Sequence, residues 1–190
     1  MRPADRVVLS RIETRLGSMV AGATERELVL LEFADRPMLP TQLRRIETRF
    51  MCTCMEGESP MFDALRLQLD QYFNGERQQF DVPLRAPGTP FQERVWTELR
   101  AIPCGATRSY ADIASAIGQR TAVRAVARAN GDNRIAILIP CHRVIGSDGT
   151  LTGYGGGLWR KRRLLDLEAG APSLFRDLIV ADEANSSAQP

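Results

Sequence analysis

Two helix-opening signatures in the second half of the chain constrain the fold more than any other feature. Thr89-Pro90-Phe91-Gln92 supplies an N-cap hydroxyl, a proline at the first helical position and a capping-box glutamine, ahead of the apolar positions Val95, Trp96 and Leu99. Ile102-Pro103 stops that helix, and Ser109-Tyr110-Ala111-Asp112 opens another with the same box logic. Gly118 ends the second helix, and Thr121 is expected to cap a third that runs to Asn130-Gly131. Two short helices about a tight turn outline a helix-turn-helix, whose second helix enters the groove when such a motif binds DNA. The same outline occurs in helical proteins that never touch nucleic acid, so function needs other residues.

The first half reads differently. Residues 16–21 and 27–33 look like strands joined as a hairpin through the 22–25 turn, and residues 41–50 and 61–73 have helical spacing. Ser59 and Pro60 open the second of these helices and Asn74-Gly75 closes it. The composition shifts across residues 80–89, with 83–88 as a linker. The expected fold is therefore α+β: a sheet-and-helix domain over residues 1–85, a mainly helical domain over 86–170, and a polar tail over 171–190 with a disordered end. Within the second domain, residues 135–139 form a continuous apolar run, expected as a buried strand or extended segment, that leads into Pro140-Cys141-His142-Arg143-Val144. Residues 146–149 look like a hairpin turn, 153–157 like a flexible or close-approach loop, and 158–168 like a last helix.

A net charge of +2 says little about partners, but the charge is clustered. Residues 120–163 hold nine basic side chains (Arg120, Arg124, Arg128, Arg134, Arg143, Arg160, Lys161, Arg162, Arg163) against Asp132 and Asp148. That segment is either a polyanion surface or a solvated face. The third helix carries little larger than valine besides Arg124 and Arg128, which share one face at i and i+4. The charged opening residues lack an apolar signal core, and no apolar run is long enough to span a bilayer, so a cytoplasmic protein is expected. Four cysteines (Cys52, Cys54, Cys104, Cys141) are too few for a disulfide framework; free thiols are expected, with no metal site.

Cys141 is followed by His142, the one imidazole in the chain. A nucleophilic cysteine needs its thiolate, and histidine is the side chain best suited to take a proton near neutral pH. Neighbours on an extended strand point to opposite faces, so His142 reaches the sulfur only if the backbone bends, which Pro140 permits, or through a bridging water. An acidic residue from elsewhere must orient the ring. A cysteine acting as a small buried hydrophobe beside a structural histidine is the competing explanation.

The full string Ile139-Pro140-Cys141-His142-Arg143-Val144 closely resembles the active-site motif of the O6-alkylguanine-DNA alkyltransferases, or methylated-DNA-protein-cysteine methyltransferases. The likeness runs from Pro90 to Glu168 through Phe91, Ser109-Tyr110, Arg124-Ala125-Val126, Asn133 and Tyr154-Gly155-Gly156. It implies a ribonuclease-H-like first domain and a winged-helix-like second one. It implies Cys141 as alkyl acceptor, His142 as its base through water, Glu168 as the carboxylate that orients His142, and Asn133 as a brace of the turn. Tyr110 then protonates the departing guanine, and Arg124 fills the base stack where a nucleotide has flipped out. Thr121, Ala125, Arg128 and Arg143 complete the DNA-facing set; Val144, Tyr154, Gly155 and Gly156 line the base pocket.

The implied partner is double-stranded DNA containing O6-alkylguanine, with O4-alkylthymine as a second candidate base, met in the minor groove by a monomer. No cofactor is implied. A thioether is a poor leaving group, so each molecule acts once. Arg134 stands where many members have proline, and Gly155 where some have a small hydroxyl residue, which leaves a backbone amide to serve the base oxygen. Related binding proteins carry tryptophan at the position of Cys141. Two other readings stay open: a DNA-binding module without transfer activity, and a cytosolic thiol enzyme acting on esters or peptides.

Overall fold

The computed structural model describes residues 6–170; the expected polar tail lies outside them. β1 (Val8–Ile12), β2 (Met19–Ala23) and β3 (Leu28–Phe33) make an antiparallel meander. α1 (Leu39–Phe50) then crosses over, and β4 (Met55–Glu56) adds parallel to β1, giving the order β3-β2-β1-β4. The expected single hairpin is thus corrected to three antiparallel strands. Ser10 and Arg11 interrupt the apolar alternation that would have marked β1. Residues 16–18 belong to the β1–β2 turn, where Gly17 sits at φ +103 and the Thr14 hydroxyl donates to its carbonyl at 2.7 Å.

β3 is buried on both faces, and a bulge decides which residue faces where. Leu30 pairs with Gly22 and Leu28 with Ala23, leaving Val29 as the extra residue. Val29 and Leu30 therefore pack together with Ile46 and Phe50 of α1, while Leu28, Leu31 and Phe33 belong to the main core with Phe62, Leu65 and Leu69. These last three lie on α2 (Pro60–Phe73), which opens at Ser59 as expected, the hydroxyl accepting from Met61 N.

The outer edge of β3 joins the two halves of the chain. Leu28 N donates to Pro83 O at 2.8 Å and Arg85 N to Leu28 O at 2.9 Å. Further along, Leu31 N donates to Arg134 O at 2.9 Å and Ala136 N to Leu31 O at 2.7 Å. An edge whose backbone groups would otherwise be open is covered by the segment that leads to Cys141.

The second half contains α3 (Pro90–Arg100), β5 (Arg108–Ser109), α4 (Tyr110–Ala116), α5 (Val123–Gly131), a 3₁₀ turn (Cys141–Arg143), β6 (Val144–Ile145) and α6 (Leu158–Glu168). Both capping boxes, at Thr89 and Ser109, are formed. α4 and α5 are the helix-turn-helix, with Gly118 at φ +73 between them, and Trp96 Nε1 ties α3 to α5 by donating to Ala129 O at 2.9 Å. Thr121 does not cap α5. The N-cap is Ala122, whose N–H bonds back to Gln119 O at 2.8 Å, and Thr121 is exposed.

Two expectations near the cysteine are corrected as well. Residues 135–139 are buried but not extended: Leu138 N donates to Ala136 O at 2.8 Å and Ile139 N to Ile135 O at 3.0 Å. Ile137 sits at φ +70, a conformation that costs a β-branched residue about 1–3 kcal/mol and is held by its fully enclosed surroundings. Residues 146–149 do form a turn, closed by Gly149 N donating to Gly146 O at 3.0 Å, but no hairpin, because the element that follows β6 is α6 and not a strand. The two-residue parallel pairing of β5 with β6 sets Tyr110, the first residue of α4, beside the segment that follows Cys141. Among the described residues no helix is long and apolar enough to cross a membrane.

Candidate active site

The backbone bends at Pro140 (φ −81, ψ 64), and Cys141 N closes the bend on Ile139 O at 2.8 Å. Cys141 is 7% exposed, and its sulfur accepts from Asn133 Nδ2 at 3.1 Å. The same amide braces the turn, with Nδ2 donating to Ile139 O at 2.8 Å and Oδ1 accepting from Ile135 N at 3.0 Å. Burial pushes the Cys141 thiol up to about 11, against the opposing pull of the Asn133 hydrogen bond. At rest the sulfur is a thiol and needs a proton acceptor to react.

His142 is fully enclosed. Its Nε2 lies 2.9 Å from Glu168 Oε1 at the end of α6, and its Nδ1 has no hydrogen-bond partner among the described residues. Burial lowers the pKa of the imidazole, while Glu168 works to raise it. Burial alone would raise the Glu168 carboxyl, but hydrogen bonds from His142 and Arg143, and their charge, hold it well below the usual carboxylate range. Its oxygens also accept from Tyr72 OH at 2.6 Å and Gly105 N at 3.2 Å.

Arg143 was expected to face DNA; the structure corrects this. Its guanidinium is buried, paired with both Glu168 oxygens at 2.8 Å, and donates to Ile102 O at 2.6 Å, which turns it away from the surface a phosphate could reach. Arg134, Arg160 and Lys161 are buried too, so the basic segment seen in the sequence is less of a surface than its charge suggests. Arg134 lies over the Trp96 ring at 5.7 Å, and Arg160 pairs with Asp35 and donates to Leu16 O and Gly156 O. Arg120, Arg124, Ala125, Arg128 and Arg162 remain exposed.

Cys141 lies in a narrow cleft with Asn133, Tyr154, Gly155 and Gly156, together with Glu32 and Arg36 from the first half. Arg36 pairs with Glu32, donates to Asn133 O and Gly131 O, and lies so close over Gly155 that a Cβ there would collide with its guanidinium. The cleft holds about 10 Å³ of free space, and next to it is an open groove of about 460 Å³ over Tyr110, Val123, Arg124, Ala127 and residues 152–155. Tyr110 OH donates to Thr152 O at 3.2 Å in that groove. Val144, expected in the pocket, lines neither space. Its side chain is in the core and its carbonyl is taken by Lys161 Nζ at 2.5 Å.

Sequence reasoning missed Lys161, Tyr72, Glu32 and Arg36 as members of the site. Lys161 is fully buried, donates also to Thr152 O at 2.6 Å, and has its pKa lowered to about 8 by burial. A signal existed for it: Lys161, Leu164 and Glu168 fall on one stripe of α6, so the lone lysine sits on the face that must be buried. No comparable local signal marks the other three. Cys52, Cys54 and Cys104 are half-buried.

A helix-turn-helix whose groove runs up to a buried cysteine places the chain in the class of DNA-binding-type folds that carry a reactive-thiol site. Residues 90–170 match the family model described as the DNA-binding domain of 6-O-methylguanine DNA methyltransferase, and residues 7–86 match that of its ribonuclease-like domain. A methylated-DNA–protein-cysteine methyltransferase of Mycobacterium bovis is 61% identical over 155 residues, which cover 80% of this chain and 92% of the relative. The crystal structure of Mycobacterium tuberculosis O6-methylguanine methyltransferase superposes with a TM-score of 0.73 at 44% identity, covering 87% of this chain and 94% of that one. A structure of Mycobacterium tuberculosis OGT in complex with DNA gives 0.72 at 43% identity, over 85% and 92% of the two chains. The chain belongs to the 6-O-methylguanine DNA methyltransferase family.

Proposed function

We propose that this protein repairs DNA by moving the alkyl group of an O6-alkylguanine onto its own Cys141. The observation that carries the reading is the placement of that sulfur: hydrogen-bonded to Asn133, next in sequence to the His142–Glu168 pair, and in a cleft beside the groove that holds Arg124 and Tyr110. DNA is the partner. The exposed, small-residue face of α5 enters the minor groove as a monomer, and Arg124 takes the space of the extruded nucleotide. The flipped base needs more room than the resting cleft has, so Arg36 or the 152–157 loop shifts as it enters.

His142 takes the thiol proton through solvent at Nδ1, and Glu168, which holds the ring by Nε2, stabilises the imidazolium that forms. The thiolate attacks the alkyl carbon, a carbon–sulfur bond forms, and the bond from carbon to guanine O6 breaks. Tyr110 donates a proton so that the guanine leaves neutral, and the proton lost by the thiol restores the balance. The thioether persists, so one molecule repairs one lesion. Titration with an O6-methylguanine duplex checks this: one methyl per protein, found on the Cys141 peptide by mass spectrometry. Binding without a methylated peptide would reduce the protein to a DNA-binding module, and many products per molecule would make it a thiol enzyme.

A further inference from the structure

The first half of the chain supplies a group to the relay that the reaction as described leaves unused. Tyr72, in the last turn of α2, is 2% exposed, and its hydroxyl donates to Glu168 Oε1 at 2.6 Å. Its ring packs edge-on against Phe73 and tilted against Phe80, each 5.4 Å between centroids. That same carboxylate oxygen also faces His142 Nε2 at 2.9 Å and Arg143 Nη2 at 2.8 Å. A carboxylate oxygen has two lone-pair directions, so three donors share what two would fill.

We propose that Tyr72 is a positioning residue which, by hydrogen-bonding the oxygen that His142 uses, sets how tightly His142 holds its proton. The proposal rests on the reading of His142 as the base. A phenolic donor draws charge from Oε1 and weakens that oxygen as an acceptor for the imidazolium N–H. His142 then releases its proton more readily and stands neutral, able to accept the thiol proton, at lower pH. The other groups facing the imidazole are Glu168 and Lys161 from α6 and its neighbour Arg143; those facing Tyr72 are Glu168, Arg143 and Cys104. All of these remain when the Tyr72 hydroxyl alone is removed, so their effects cancel in the comparison. Burial and the Glu168 charge hold the Tyr72 phenol well above its usual range, which keeps it a donor throughout.

His142 is the one histidine of the chain, so its titration can be followed without assignment, by nitrogen-15 NMR of the full-length protein labelled at histidine. In Tyr72→Phe the midpoint should rise by about half a pH unit or more. The acid limb of the single-turnover methyl-transfer rate should move with it, making transfer roughly threefold slower at a pH below both midpoints. A purely structural role would lower the melting temperature and leave midpoint and limb where they were, and that result overturns the proposal. Should Tyr72→Phe fail to fold, 3-fluorotyrosine placed at position 72 keeps the shape and is a stronger donor, so the midpoint must fall; no movement overturns the proposal equally. Failure of the wild-type protein to methylate Cys141 would defeat the reading of the site, whereas wild-type transfer with an unmoved midpoint defeats only the role of Tyr72.

Discussion

The relay behind Cys141 and the outer face of α5 are built on opposite principles. His142, Arg143 and Lys161 are enclosed; Glu168 holds His142 and Arg143, Tyr72 hydrogen-bonds Glu168 from 96 residues away, and Asn133 holds the Cys141 sulfur. Arg124, Ala125 and Arg128 stand in solvent on a helix whose inner face alone, Val126 and Ala129, is packed. A group that must react has its geometry prepaid by folding, while a group that must meet a separate molecule is left outside the fold. Substitutions in the relay should therefore cost stability and rate together, and those on α5 should cost binding alone.

The largest effect expected is for Cys141→Ala, which should abolish methyl transfer in the duplex titration while binding, read by fluorescence anisotropy, survives. Glu168→Gln comes next. It strips His142 of its anionic partner and leaves the buried Arg143 charge uncompensated, at a cost of about 3–5 kcal/mol in denaturant unfolding, and single-turnover transfer should slow by roughly 10²–10⁴. An unchanged unfolding midpoint there would break the comparison.

The same carboxylate carries a pH signature. Folded Glu168 keeps its charge to lower pH than an unfolded glutamate does, so its stabilisation is complete above the ordinary carboxylate range and is lost as the pH falls through and below it. In thermal melts against pH, the gap between wild type and Glu168→Gln should accordingly close on acidification.

Lys161→Met should be milder. It removes the donor of Val144 O and Thr152 O and should destabilise by about 1–3 kcal/mol, with faster proteolysis of the 152–157 loop as the check. Arg124→Ala should weaken repair of duplex roughly tenfold, as about 1.4 kcal/mol of the lost stacking goes unreplaced, and should leave the melting temperature in place. A drop in melting temperature would mean that α5 is not the independent face described. Smallest of all, Thr121→Ala should stay within about 0.5 kcal/mol of wild type, since Thr121 caps nothing.

Local chemistry makes much of this architecture legible in the sequence. Ser59, Thr89 and Ser109 open their helices because an N-cap hydroxyl answers orphan N–H groups two or three residues away, whatever lies beyond. α6 is readable at both ends, and Cys141 and His142 are legible as neighbours. Thr121 misleads because it is the right residue type one position early, and residues 135–139 mislead because an apolar run records burial without recording its path. Arg143 reads as a DNA contact because charge is visible in a sequence and the partner that neutralises it is not.

The amino-acid order alone determined the helix-turn-helix, the closing helix, the α+β class and the cysteine motif, since each depends on interactions within a few residues. Only the tertiary structure decided that Tyr72 meets Glu168, that Arg36 and Glu32 enter the cleft, and that Arg143, Val144 and Lys161 face inward. The reason is separation: the Tyr72 to Glu168 bond joins residues 96 apart and the Arg36 to Asn133 bond residues 97 apart. Such contacts follow from how β3 and the segment before Cys141 pair along one sheet edge, and no local pattern encodes that pairing.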